Sequence, residues 1–153
     1  MTSALAPGLI KNLRRFTKLK PLDWLYLAIS TKELAGARLR HISVAPVDII
    51  KGLQRPSGPP NDEAPASTLD LKRMAWAIGA AASRLPWRSD CLIQVLAADR
   101  WMRRHRLRGE FYLGVRKDAQ GNLVSHAWML CGEIVVPNGE TGSFQVLIGP
   151  EAR

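Results

Sequence analysis

Cysteine is scarce in this chain: two in 153 residues, Cys91 and Cys131. Neither stands at metal-ligand spacing from another cysteine or from His41, His105 or His126, and no C-x-x-C, H-x-x-x-H or H-E-x-x-H occurs. No metal and no other cofactor is therefore expected. Long apolar runs are missing too, so no membrane span is expected. Met1 to Ile10 is mildly apolar, but Lys11, Arg14 and Arg15 follow it rather than precede it. That order is wrong for a secretory signal, which makes a cytoplasmic protein the default and a structural disulfide unexpected. Acidic residues are few, 13 against 22 basic ones, for a net charge of +9 and a pI near 10.3. Such a balance suits nucleic acid, an anionic membrane surface or an acidic peptide, and it carries no information about fold.

What is present reads as one domain. Residues 11–20 hold five basic side chains with Leu13, Phe16 and Leu19 at spacing three, an amphipathic basic start. Pro21 opens an apolar helix through Ala35, expected to be buried on more than one face, with Gly36 a weak point; a short helix near Pro46 follows. This helical N-terminal region spans 1–53. Residues 54–67, with four prolines and a glycine, form a linker. The rest, 68–153, makes one structural unit with 1–53, because the first third is too short for a secure core of its own. Thr68 caps a helix from Leu69 to Leu85, with Leu71, Met74, Ala75, Ile78, Ala82 and Leu85 at helical spacing. Pro86 ends it, and a helix from Cys91 to about Arg106 follows. From Glu110 the period becomes two: strands at 111–116, 123–131, 133–136 and 144–148, the first pair joined by a hairpin loop at 118–122. Helices followed by an antiparallel meander mean α+β.

The stretch Ser89-Asp90-Cys91-Leu92 puts a thiol where a helix begins, and a helix N-terminus favours an anion such as a thiolate. His126 lies on a following strand. A nucleophilic thiol needs a base, a group that orients the base, and oxyanion donors. Cys91 and His126 fit the first two roles, and the Cys91 backbone N–H could serve as one oxyanion donor. Asn138 is the polar candidate for orienting the imidazole, with Glu133 an alternative and Glu140 a weaker one. Trp87 and Trp128 could wall the site or lend an indole N–H; the rival reading, preferred for Trp128, has it filling the core between helix and sheet. Tyr112 is a further candidate for substrate contact. Cys131 reads as an inert strand residue.

Leu85-Pro86-Trp87-Arg88-Ser89-Asp90-Cys91-Leu92, Tyr112-Leu113-Gly114-Val115-Arg116-Lys117 and Ser125-His126-Ala127-Trp128 together resemble the leader peptidases of lasso peptide biosynthesis. These are the stand-alone, transglutaminase-like C-terminal half of the B maturation protein. The resemblance is best over about 69–140. It implies a papain/transglutaminase-like core in which a nucleophile helix packs on an antiparallel sheet. It also implies a Cys-His-Asp triad, with Cys91 at the nucleophile, His126 at the base and Asn138 where the family has Asp. The implied activity is a cysteine endopeptidase that removes the leader of a ribosomally made precursor before a separate cyclase closes the macrolactam. The implied partners are the precursor peptide, a separate leader-recognition protein and the lasso cyclase, with no nucleic acid. The basic start and the arginines after Trp101 are where a partner or an acidic leader would be sought. Two other readings remain: a basic module for nucleic acid or an anionic surface with Cys91 merely buried, and a transglutaminase-type acyl transferase.

Overall fold

The computed structural model describes residues 19–55, 68–137 and 139–150. Among these residues four helices precede a four-stranded antiparallel sheet, the α+β order expected: α1 (Pro21–Ser43), α2 (Pro46–Gln54), α3 (Thr68–Ala82) and α4 (Cys91–Arg104), then β1 (Glu110–Lys117), β2 (Leu123–Cys131), β3 (Ile134–Val136) and β4 (Gln145–Ile148). The basic start lies outside the described residues apart from Leu19 and Lys20, as does the linker from 56 to 67. Gln54, taken as linker, closes α2 instead.

Proline opens α1 and α2 at the first turn, where its missing N–H costs nothing. In α1 the Asp23 carboxylate accepts from the Lys20 backbone N–H at 2.9 Å, satisfying a group that the helix itself cannot. Two expectations for α1 need correction. Gly36 does not weaken it, since the helix runs on to Ser43. Nor is its first turn buried: Leu22, Trp24 and Leu25 are exposed, and the buried positions are Ser30, Glu33, Leu34 and Ala37. The glycine at 36 makes room for Arg100 of α4. A Cβ at position 36 would stand 2.7 Å from its Nη2. The glycine is the gap through which that guanidinium reaches Glu33, donating from Nε at 3.1 Å, while Arg104 bonds the other Glu33 oxygen.

Glu33 is 1% exposed. Its two arginines belong to the cluster read as end-of-helix charge and as a partner surface; each pairs with Glu33 while remaining partly exposed. Arg103 is likewise engaged, with the buried Asp99 at 2.7 Å and with the carbonyls of Gly52 and Arg55. Burial holds the Asp99 carboxyl above its ordinary range, against the opposing pull of Arg103. Arg73 pairs with Asp23 across α1 and α3.

One core joins helices and sheet: Leu34, Ile49, Leu53, Met74, Ile78, Ile93, Leu96, Met102, Phe111, Ala127, Met129 and Val136 are among its buried members. Each fully buried Leu, Ile or Met contributes about 1.5–3 kcal/mol. Arginines near a helix C-terminus add about 0.3–1 kcal/mol. Packing of Ile93, Leu96 and Met102 therefore fixes α4, and its basic end is secondary. Apart from the C-terminus of α1, element ends differ from expectation by one to three residues. Thr68 is the first residue of α3 rather than its cap; α3 ends at Ala82, and α4 at Arg104. Arg106 has φ 56°, outside any right-handed helix.

The sheet order is β3-β2-β1-β4. β1 and β2 pair from Glu110↔Leu130 to Lys117↔Leu123, which sets Tyr112 opposite Trp128 and Gly114 opposite His126. β3 pairs with the end of β2, and β4 with β1.

Replacing Glu33 by Gln strands two guanidiniums. Because both reach water (Arg100 31% and Arg104 49% exposed in their side chains), the expected loss is roughly 2–3 kcal/mol, below the 3–5 typical of a broken buried pair. Urea unfolding measures it as a lower midpoint with unchanged slope.

Candidate active site

The break before α4 is built from sequence. Pro86 cannot continue α3, and the chain crosses to Asp90, whose side chain accepts from the Ile93 backbone N–H at 3.2 Å and caps the new helix. Gln94 Nε2 donates to the Ser89 carbonyl at 2.9 Å, and Arg38 Nη1 to that of Arg88 at 3.3 Å, tying the approach to α4 and α1. Cys91 is the first residue of α4, half-buried against the core. The cap takes Ile93; the amides of Cys91 and Leu92 have no acceptor within the helix. Two donors close by in sequence are buried without a partner, Trp87 Nε1 and Ser89 Oγ. Such groups are rare in folded proteins.

α4 packs on β2, the strand that carries His126. Strand alternation assigns the faces. Ala127, Met129 and Cys131 belong to the core shared with the helices, so His126 and Trp128 point to the opposite face, beside Tyr112, Gly114 and Arg116 of β1. Trp128 is 4% exposed, but it does not fill the space between helix and sheet as expected. It is buried on the far face, stacked on Tyr112 with ring centroids 5.6 Å apart and planes 4° apart. Tyr112 is thus an aromatic wall. Its phenol, whose pKa is raised by burial and by Glu110, lies 3.4 Å from that carboxylate.

What covers this face follows from the strand order. β3 and β4 occupy opposite edges of the sheet, so the chain between them must cross it. Gly139 and Phe144, on that stretch, lie over His126. A Cβ on Gly139 would stand 3.5 Å from His126 Nε2. The Phe144 ring lies 5.2 Å from the imidazole and 6.3 Å from the Trp128 ring, and His126 and Trp128 stack at 5.8 Å. Gly114 makes room beneath: a Cβ there would meet the Gln145 carbonyl, Phe144 Cβ and Trp128 Cη2, all at 3.0 Å. Burial, and secondarily the Arg116 charge, lower the His126 pKa from its ordinary 6.5.

The structure thus brings His126, Trp128 and Tyr112 together on the sheet face opposite the core, whereas Cys91, at the head of α4, packs against the core. Among the described residues no hydrogen bond joins Cys91 to His126. Asn138 lies outside the described residues, immediately before Gly139. Of the rival orienters, Glu133 is exposed in the β2–β3 turn and Glu140 is exposed on the crossover near Arg116. Phe144 and Gly114 were missed from sequence, because only the register shows that they meet at His126. Cys131 is buried, and desolvation raises its thiol pKa, as suits an inert thiol. No three described His, Cys, Asp or Glu residues are grouped to hold a metal, and no described helix is long and apolar enough to cross a membrane.

The family model described as the transglutaminase-like superfamily matches residues 34–149. No curated protein and no solved structure matches the chain.

Two outcomes are expected. Gly114→Ala forces Trp128, Phe144 or the Gln145 backbone aside and costs about 1–3 kcal/mol, the usual range for overpacking, read as a lower melting temperature with a shifted His126 ring resonance. The native state holds His126 neutral where the unfolded chain would protonate it, so its contribution to stability is complete above pH 6.5 and declines as pH falls towards its lower folded value. His126→Gln should remove that part of the acid destabilisation in calorimetric scans.

Proposed function

The chain belongs to the transglutaminase-like superfamily, which includes cysteine proteases and acyl transferases, and we propose that it is a cysteine endopeptidase that removes the leader from a lasso precursor peptide. The observation that carries this reading is the approach of Gly139 to His126 Nε2. It brings residue 139 to one imidazole nitrogen; in the proposed triad Nδ1 is the nitrogen that serves the thiol. Support also comes from the Pro-Trp before Cys91 and the His-Ala-Trp strand, the motifs by which the chain resembles those peptidases.

In this reading the Cys91 thiolate, formed as His126 takes its proton, attacks the carbonyl carbon after the last leader residue. The carbonyl oxygen gains the negative charge, for which the α4 N-terminal amides of Cys91 and Leu92 are the nearest donors in sequence; Trp87 Nε1 is a further candidate. The C–N bond then breaks as the imidazolium returns its proton to the departing amine of the core peptide. Water, deprotonated by His126, hydrolyses the thioester and frees the leader. A base of lowered pKa is unprotonated at neutral pH, ready to accept the thiol proton. The thiol–imidazole hydrogen bond is one that tightens on substrate binding, as in many resting enzymes. Asn138 orients the imidazole as a neutral hydrogen-bonding partner; unlike Asp, it adds no charge to stabilise the imidazolium. The partners are the precursor, a separate leader-recognition protein and the cyclase that uses the freed core. An acyl transferase would share every step up to the thioester and differ in its acceptor, so the product separates the two.

Mixing the protein with a lasso precursor and its leader-recognition protein should yield free leader and core by mass spectrometry. Cys91→Ala should abolish the reaction, and His126→Ala should slow it by about 10²–10⁴-fold. Asn138→Asp should retain cleavage while Asn138→Ala loses much of it. Undiminished cleavage by Cys91→Ala would remove the nucleophile, and a product joined to an amine rather than hydrolysed would favour the transferase.

A further inference from the structure

Arg116 projects from β1 on the same sheet face as Gly114 and Tyr112, and it engages three residues of one segment. Its guanidinium carbon lies 4.7 Å from the Phe144 ring centroid. Nη1 donates to Ser143 Oγ at 2.9 Å and lies 3.8 Å from Glu140 Oε2. Among its described residues the crossover has little else to hold it: Gly139, Glu140, Gly142 and Ser143 are exposed, and one internal backbone bond runs from the Phe144 N–H to the Thr141 carbonyl at 3.1 Å. Apart from Arg116, it meets the sheet through Phe144 and through Gly139 at the imidazole. A stacked arginine with a directed hydrogen bond is not replaceable by lysine, whose ammonium lacks the planar fork.

We propose that Arg116 is a positioning residue for the thiol–imidazole chemistry: by clamping Glu140, Ser143 and Phe144 to β1 it keeps the crossover seated over His126. Arg116 itself need not touch substrate. The proposal rests on Cys91 and His126 being nucleophile and base, and it gives the Arg in the Gly-Val-Arg-Lys strand a task that a solvated strand face would not have. The charged and titratable groups on the imidazole's side of the sheet are Arg116 from β1, Glu140 from the crossover and Tyr112 beyond Trp128; Cys91, at the head of α4, packs against the core. Arg116 therefore has an electrostatic effect as well as a mechanical one, and the two can be separated.

The test uses full-length protein with Arg116→Gln and Arg116→Lys. His126 is followed by NMR, its ring resonance assigned with His126→Gln, alongside kcat and KM for precursor cleavage. In Arg116→Gln the His126 midpoint should rise towards 6.5. The neutral ring resonance should move as Phe144 leaves it, and kcat should fall about tenfold, with KM within about twofold. Arg116→Lys should restore the midpoint but neither the ring resonance nor full kcat. An unmoved ring resonance in Arg116→Gln would overturn the clamp, and so would a moved midpoint with unchanged kcat. If Cys91→Ala cleaves as well as the parent, the catalytic reading fails instead, while the ring resonance still decides whether the clamp exists.

Discussion

Packing of α4 against β2 is the contact on which the rest depends. Ile93, Leu96 and Met102 on one side and Ala127 and Met129 on the other share one core, and the helix start and the strand are held in register by it. Met102 and Met129 come so close at Gly109 that a Cβ there would stand 2.7 and 2.5 Å from them. The buried carboxylates serve the same joint from behind. Glu33 holds Arg100 and Arg104, and Asp99 holds Arg103, so the last turns of α4 are tied to α1 and, through the Gly52 and Arg55 carbonyls, to α2. A chain with a large positive charge thereby spends part of it inside its own structure.

Topology rather than helix packing builds the imidazole's surroundings. With β3 and β4 on opposite edges, the crossover has to traverse a sheet face, and it takes the one bearing His126, Trp128 and Tyr112. The result is a ring flanked by aromatics, with Gly139 so placed that a Cβ there would stand 3.5 Å from Nε2. Desolvation there favours the neutral imidazole that a general base requires. The thiol is organised separately, at a capped helix start whose Asp90 carboxylate would repel a thiolate. In the proposed mechanism, activation of Cys91 therefore falls to His126 more than to the helix dipole.

The α+β order, the strands and the helix opened by Cys91 were legible because each has a local cause: Pro86 stops α3, Asp90 caps α4, and alternation from Glu110 onward marks the strands. The side to which a strand residue points was harder to read. Ala127, Trp128 and Met129 are all apolar, so alternation in β2 vanishes where it is needed, and Trp128 was read onto the wrong face. The burial of Glu33 and its pairing with Arg100 were hidden because both residues look like ordinary helix surface; only Gly36, taken for a flaw, marked the opening. Phe144 and Gly114 meet His126 through register and crossover, which local pattern does not encode.

The central claim is that Cys91 and His126 work as a pair. It is tested most directly by the rate at which iodoacetamide alkylates Cys91 at neutral pH in the parent protein and in His126→Gln, with Cys91→Ala as the blank for the buried Cys131. A working pair predicts rapid alkylation of the parent and a rate at least about tenfold lower in His126→Gln, because only the thiolate reacts. Equal rates in the two proteins would contradict it.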